Sequence, residues 1–257
     1  MSVKKYVPNL VTLLNLFCGC VATIFAAHNN FIAAAIFVFL GIFFDFFDGL
    51  LARKLNVQSE LGIQLDSLAD MVTSGLVPGV VMFKLISISL DAPDYLNSED
   101  WSSAMHWFGI TLSPLALIGF FVTLASAYRL AKFNIDEDQQ TYFKGLPTPA
   151  NTLLILSLPM IIELQHSHFM NSLILNTWFL IGLTLLSCYL LNSSVKLFAL
   201  KFKNYAVADN KFRYLLLVSS VILLIWLHFI AIPVIIVLYI LLSLMANYTE
   251  SKQQKLN

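Results

Sequence analysis

About eight apolar runs, each of roughly 17–25 residues and so long enough to cross a bilayer as a helix, recur along this chain and exclude a water-soluble core of ordinary kind. They lie near Leu10 to Ala27, Ile32 to Leu51, Asp66 to Ile86, Trp107 to Leu130, Thr148 to Leu164, Leu173 to Leu191, Tyr214 to Phe229 and Ile230 to Ala246. Only 12% of the 257 residues are charged and 58% are hydrophobic, against about 25% and 45–50% in a typical soluble chain. The expectation is an all-α integral membrane protein, a bundle of about eight transmembrane helices. Residues 1–248 form one membrane domain in this reading, and 249–257 a polar C-terminal tail.

Fifteen Lys and Arg balance fifteen Asp and Glu, which gives no argument for a nucleic-acid partner. What matters is where the charges sit. Eight spans put both termini on one side, together with the connections holding Arg53 and Lys54, Lys132 and Lys144, and the group Lys196, Lys201, Lys203, Lys211 and Arg213. The opposite side collects Asp91, Asp94, Glu99, Asp100 and Glu163, with Lys84 its only base. By the positive-inside rule the basic side is cytosolic. This predicts a multi-pass protein of the cytoplasmic (inner) membrane, surrounded by membrane lipids, with cytosolic N- and C-termini. The three cysteines, Cys18, Cys20 and Cys188, lie in apolar runs without partners at zinc spacing and read as small core residues.

Ionisable groups inside membrane spans are costly and mark function by default. Asp45 and Asp48 close the second run, and Asp66 and Asp70 open the third. Spacings of three and four residues place each pair on one helical face, and a short basic turn lets the pairs meet near the cytosolic surface. Four converging carboxylates repel unless a hard cation sits among them, and Mg²⁺ takes carboxylate oxygens while sharing itself with substrate phosphates. Gly49 and Ala52 leave room for a close-lying ligand. Arg53 adds a planar fork suited to phosphate.

These residues spell D-x2-D-G-x2-A-R-x8-G-x3-D-x3-D without a gap: Asp45, Asp48, Gly49, Ala52, Arg53, Gly62, Asp66 and Asp70. The pattern resembles the signature of the CDP-alcohol phosphatidyltransferase family. That resemblance implies two Mg²⁺ or Mn²⁺ ions held by the four aspartates, a CDP-linked lipid gripped by its diphosphate, and Asp70 as general base on an acceptor alcohol. The family habit also implies a homodimer.

Three further stretches resemble the membrane-embedded phosphatidylserine synthases within that family. Val7 to Gly19 is similar to their opening helix, which implies nucleotide contacts from Asn9 and Thr12. The run from Leu65 to Gly79 continues the metal helix in their manner and includes Ser74. Arg129 to Asn134 with Gly145 to Ala150 is similar to their R-L-A-R-F-N and G-L-P-x-P-A segments, with Lys132 where the subgroup has Arg. The resemblance therefore implies CDP-diacylglycerol and L-serine as substrates, with Arg129, Lys132 and Asn134 as candidate acceptor contacts. An alternative keeps the chemistry and changes the acceptor, for instance to glycerol 3-phosphate. A cation transporter using intramembrane acids is a third reading, weakened by the absence of paired repeat halves.

Overall fold

The computed structural model of the chain describes residues 6–90, 105–107, 110–135, 142–165, 167–198 and 210–254. Helices α1 (Val7–Ala27), α2 (Phe31–Lys54), α3 (Glu60–Asp70) and α4 (Val77–Ser89) come first, with a π-helical turn, Met71–Leu76, joining α3 to α4 without a break in the rod. A 3₁₀ segment, Pro114–Phe120, leads into α5 (Phe121–Ile135). There follow α6 (Thr148–Gln165), α7 (His168–Ile174), α8 (Thr177–Asn192), α9 (Lys211–Leu227) and α10 (Ala231–Gln254). Strand β1 (Met105–Trp107) pairs antiparallel with β2 (Ile110–Leu112), and β3 (Tyr142–Lys144) with β4 (Lys196–Phe198).

Among the described residues, five helical stretches are long and apolar enough to cross a membrane: Val7–Ala27, Phe31–Lys54, Glu60–Ser89, Pro114–Ile135 and Lys211–Thr249. A sixth appears if α7 and α8, bent by 64° at their junction, count as one span. Large apolar side chains cover the outside, including Phe17, Phe46, Trp178 and Trp226. Such a surface belongs in lipid, and the chain is a multi-pass membrane protein.

The departures from eight even runs have local causes. The fourth run begins at Pro114, where proline suits a helix start, so Trp107 lies in β1 instead. The sixth breaks where Asn176 caps α8 by accepting from the Phe179 amide at 3.1 Å. Lys211–Thr249 is 39 residues long, about 58 Å if straight against a hydrocarbon layer of about 30 Å. It folds back at His228, whose φ is 50°, and α9 packs against α10. Gln165 clamps that turn, donating to the Leu227 carbonyl and accepting from the Ile230 amide, both at 3.0 Å. Helix α6 is largely interior, with Thr148, Asn151, Thr152 and Ser157 all buried.

The first three helices fix the site. Both α1 and α2 end in the same device, an asparagine in the left-handed region: Asn29 at φ 60° and Asn56 at φ 53°. At the second, Val57 N–H reaches the Ala52 carbonyl (3.0 Å) and Asn56 N–H the Arg53 carbonyl (3.2 Å), the double bond of a Schellman cap. Ser59 then starts α3 by accepting from the Gly62 amide at 3.1 Å. The basic turn is thus closed at both ends.

Along α1 the buried positions Pro8, Thr12, Asn15, Gly19, Ala22 and Ala26 form a narrow stripe of mostly small residues. Along α2 it is met by Ala34, Ala35, Gly41 and Asp48. Small residues let membrane helices approach closely. Here they admit Thr73, which is wedged between α1 and α2: a Cβ on Gly19 would collide with the Thr73 hydroxyl, and one on Gly41 would lie 2.7 Å from its methyl. Gly19→Ala is expected to cost about 1–3 kcal/mol, the usual penalty of overpacking. The check is a lowered melting temperature of the purified protein in detergent.

Candidate active site

Two turns before the end of α2 and two turns into α3, the carboxylates of Asp45, Asp48 and Asp66 come together, with one oxygen from each lying within 4.8 Å of the others. Asp45 is also within hydrogen-bonding range of Asp70, one turn further along the rod. The group could hold a metal ion. Its donors are all hard oxygens, which suits Mg²⁺ or Mn²⁺ and not the softer metals that prefer thiolate or imidazole.

Two side chains on α1 steady these acids. The Thr12 hydroxyl lies 2.5 Å from Asp48 Oδ2 and 3.1 Å from the Pro8 carbonyl. Asn15 Nδ2 donates to Asp70 Oδ1 at 3.2 Å, while its Oδ1 accepts from the Thr73 hydroxyl at 2.8 Å. Thr73 thereby fixes which end of the Asn15 amide faces Asp70.

Thr73 belongs to the π turn that follows Asp70 directly. A π turn widens the helix and frees backbone carbonyls, and such turns concentrate at functional sites. Two carbonyls of this turn accept from hydroxyls on neighbouring helices. Thr123 on α5 donates to the Gly75 carbonyl at 3.0 Å, and Thr152 on α6 to the Ser74 carbonyl at 2.8 Å. The third span is therefore bonded to α1, α5 and α6 just beyond its last carboxylate.

Beside the acids opens a cavity of about 290 Å³. Asn9, Thr12, Gly49, Ala52, Arg53 and Gly62 line it, with Asp48 and Asp66 in its wall. Pro8, Val57, Gln58, Ser59 and Ile63 complete the lining. Gly49 faces open space, its nearest neighbours being the Arg53 guanidinium nitrogens at 3.8–3.9 Å from a hypothetical Cβ. Six of the seven residues expected at a nucleotide from sequence therefore share one cavity.

Ser74, the seventh, is not in that lining. It is fully buried in the π turn, whose extra residue per turn changes the face presented after Asp70. The three candidate acceptor residues on α5 also separate. Arg129 is buried, donates from Nη1 to Thr148 Oγ1 at 3.3 Å, and stands in the electrostatic field of Asp70. Lys132 is exposed and lines a small cleft with Arg129, Lys144 and Asn192. Asn134 exchanges hydrogen bonds with Ser67 at 2.9 and 3.1 Å, tying the end of α5 to α3. Asn15, Thr73, Thr123 and Thr152 join the site through packing and lie outside the aspartate motif in the sequence. Their sequence signal is polarity within apolar runs.

The sequence that builds this cavity is similar to that of known proteins. A family model, that of the CDP-alcohol phosphatidyltransferases, matches residues 5–189. The chain belongs to the CDP-alcohol phosphatidyltransferase family. Matched residues run from α1 to α8, so all the carboxylates and the cavity fall inside them, while α9 and α10 lie outside.

Several curated relatives of this CDP-alcohol phosphatidyltransferase are named CDP-diacylglycerol–serine O-phosphatidyltransferase. The protein of that name from Bacillus subtilis is 34% identical over 155 residues, 60% of this chain and 76% of the relative. That from Methanocaldococcus jannaschii is 31% identical over 189 residues, 72% of this chain and 74% of the relative. The Saccharomyces cerevisiae protein is 30% identical over 174 residues, 62% of this chain and 55% of the relative.

The geometry makes a direct prediction about metal. Asp45→Asn and Asp66→Asn should abolish Mn²⁺ binding by the purified protein, followed by electron paramagnetic resonance. Thr12→Val keeps every carboxylate and removes the hydroxyl that supports Asp48, and should weaken Mn²⁺ binding about 10–100-fold, as loss of an outer-shell partner does.

Proposed function

We propose that this protein is a phosphatidylserine synthase, transferring the phosphatidyl group of CDP-diacylglycerol to the hydroxyl of L-serine and releasing CMP. The observation that carries the reading is the single cavity where Asn9, Thr12, Gly49, Ala52, Arg53 and Gly62 meet the acids, in a chain whose relatives bear that enzyme's name. Asn9, Thr12, Gly49, Ala52 and Gly62 would receive the cytidine and its ribose, and Arg53 would hold a phosphate at the mouth. Asp45, Asp48, Asp66 and Asp70 would hold two Mg²⁺ or Mn²⁺ ions. Such a pair, when bound, neutralises diphosphate charge and braces the attacking and leaving oxygens of an in-line displacement.

Asp70 is the general base in this reading. Serine hydroxyl is a weak nucleophile at neutral pH, and a positioned carboxylate accepts its proton as the new bond to phosphorus forms. The bond to the CMP oxygen breaks in the same displacement, and that oxygen leaves as part of the CMP phosphate. One Asp70 oxygen accepts from Asn15, which restrains the carboxylate and leaves its other oxygen to take the proton. Arg129 is the acceptor contact, placed to meet the serine carboxylate with a fork. Lys132, exposed beside Lys144, would draw an anion toward that cleft, and Asn134 would act through Ser67.

The topology proposed with this reading has eight spans: α1, α2, the α3–α4 rod, Pro114–Ile135, α6, the bent α7–α8 pair, α9 and α10. Both termini and the active site face the cytosol, and the membrane is the inner one. The sorting of bases to one set of connections supports this. Residues 1–248 form one membrane domain, residues 249–257 are the tail, and a homodimer belongs to the reading through the family resemblance.

Purified protein with CDP-diacylglycerol and Mg²⁺ or Mn²⁺ should release CMP in the presence of L-serine and stop on chelation. Turnover with glycerol 3-phosphate and none with serine would move the assignment to another member of the family. Asp70→Asn should lower kcat about 10²–10⁴-fold, the usual contribution of a general base, while CDP-diacylglycerol still binds. Undiminished turnover would remove Asp70 from that role.

A further inference from the structure

Buried polar groups in folded proteins are almost always paired, and those that are not require a reason. Around Arg129 several are not. Asn151 on α6 is fully buried, and among the described residues neither its Oδ1 nor its Nδ2 has a hydrogen-bond partner. The same holds for the hydroxyls of Ser74 and Ser126, both fully buried, and for Arg129 Nε.

Contacts between their helices bring these segments together. Thr148, Asn151 and Thr152 lie three and four residues apart, on one face of α6. Thr148 accepts from Arg129, and Thr152 donates to the Ser74 carbonyl, so Asn151 is bracketed by contacts to α5 and to the π turn. Ser126 lies one turn before Arg129 on α5, its Cβ 3.3 Å from a hypothetical Cβ on Gly75. Asp70 is near enough to Arg129 to interact with its charge.

We infer that Asn151, with Arg129, Ser126 and Ser74, forms the pocket that reads the amino-acid head of the acceptor. The inference deepens the phosphatidylserine synthase reading and rests on it. The unmet groups match a zwitterionic amino acid: Asn151 Oδ1 accepts from an ammonium, Asn151 Nδ2 and Arg129 Nε donate to a carboxylate, and the serine hydroxyls serve either. A site built to hydrogen-bond a polar substrate discriminates strongly, because a wrong ligand leaves those buried groups unpaired. A neutral or purely anionic alcohol lacks the ammonium that Asn151 Oδ1 awaits.

The test compares wild type with Asn151→Leu, of similar size and apolar, in detergent with saturating CDP-diacylglycerol and metal. Wild type should be stabilised by millimolar L-serine in a thermal-shift assay, and the variant should not. The variant should melt at or above the wild-type temperature without serine, since an unpaired buried amide has been removed. Its KM for serine should rise about 10–100-fold, with kcat and the KM for CDP-diacylglycerol within about threefold, as befits lost binding to one substrate. A variant with wild-type serine KM and serine protection would overturn the inference and leave the enzyme assignment standing. A wild type that turns over another alcohol and ignores serine would overturn the assignment instead. If Asn151→Leu fails to fold, Asn151→Asp and Ser126→Ala are measured in the same way, and an unchanged serine KM in both also overturns the inference.

Discussion

Several carboxylates held close together inside an apolar bundle is the constraint on which this structure depends. Each would rather be in water or beside a cation, and bringing Asp45, Asp48 and Asp66 within 4.8 Å of one another adds mutual repulsion. Such an arrangement persists only if the scaffold over-determines it. The closed basic turn sets the register of α2 against α3, the Asn56 and Ser59 caps fix that turn, and Thr12 and Asn15 on α1 reach across to the acids.

The π turn is the hub of that scaffold. It sits directly after Asp70 and is the point where the third span is bonded to three other helices, through Thr73, Thr123 and Thr152. Glycines make this possible. Gly19 and Gly41 leave the slot for Thr73, and Gly79 leaves space for the Thr123 hydroxyl. Hydroxyl-to-carbonyl bonds are a natural currency here, since lipid offers no water to satisfy a freed backbone carbonyl.

Two sides of the acids differ in character. Toward α1 and the basic turn lies an open cavity lined by small residues and Arg53. Toward α5 and α6 lies a tight cluster of buried polar side chains around Arg129. Asp70 is tied to both sides, through a hydrogen bond from Asn15 and through its charge on Arg129.

Much of this was legible in the amino-acid order. Run length alone required membrane helices, and the spacing of Asp45, Asp48, Gly49, Ala52, Arg53, Gly62, Asp66 and Asp70 marked both the family and one face of each helix, because helical periodicity converts spacing into direction. Helix boundaries were less legible: Asn176, Pro114 and the Gln165 clamp redraw runs that look continuous by hydropathy. What only the tertiary structure decided was which polar residues from distant segments meet. Asn15, Thr73, Thr123, Asn151 and Thr152 look alike in sequence, uncharged polar residues within apolar runs. The long-range bonds from Asn15 to Asp70 and from Thr152 to Ser74 exist because particular helix faces pack against the π turn, and no local rule fixes that packing.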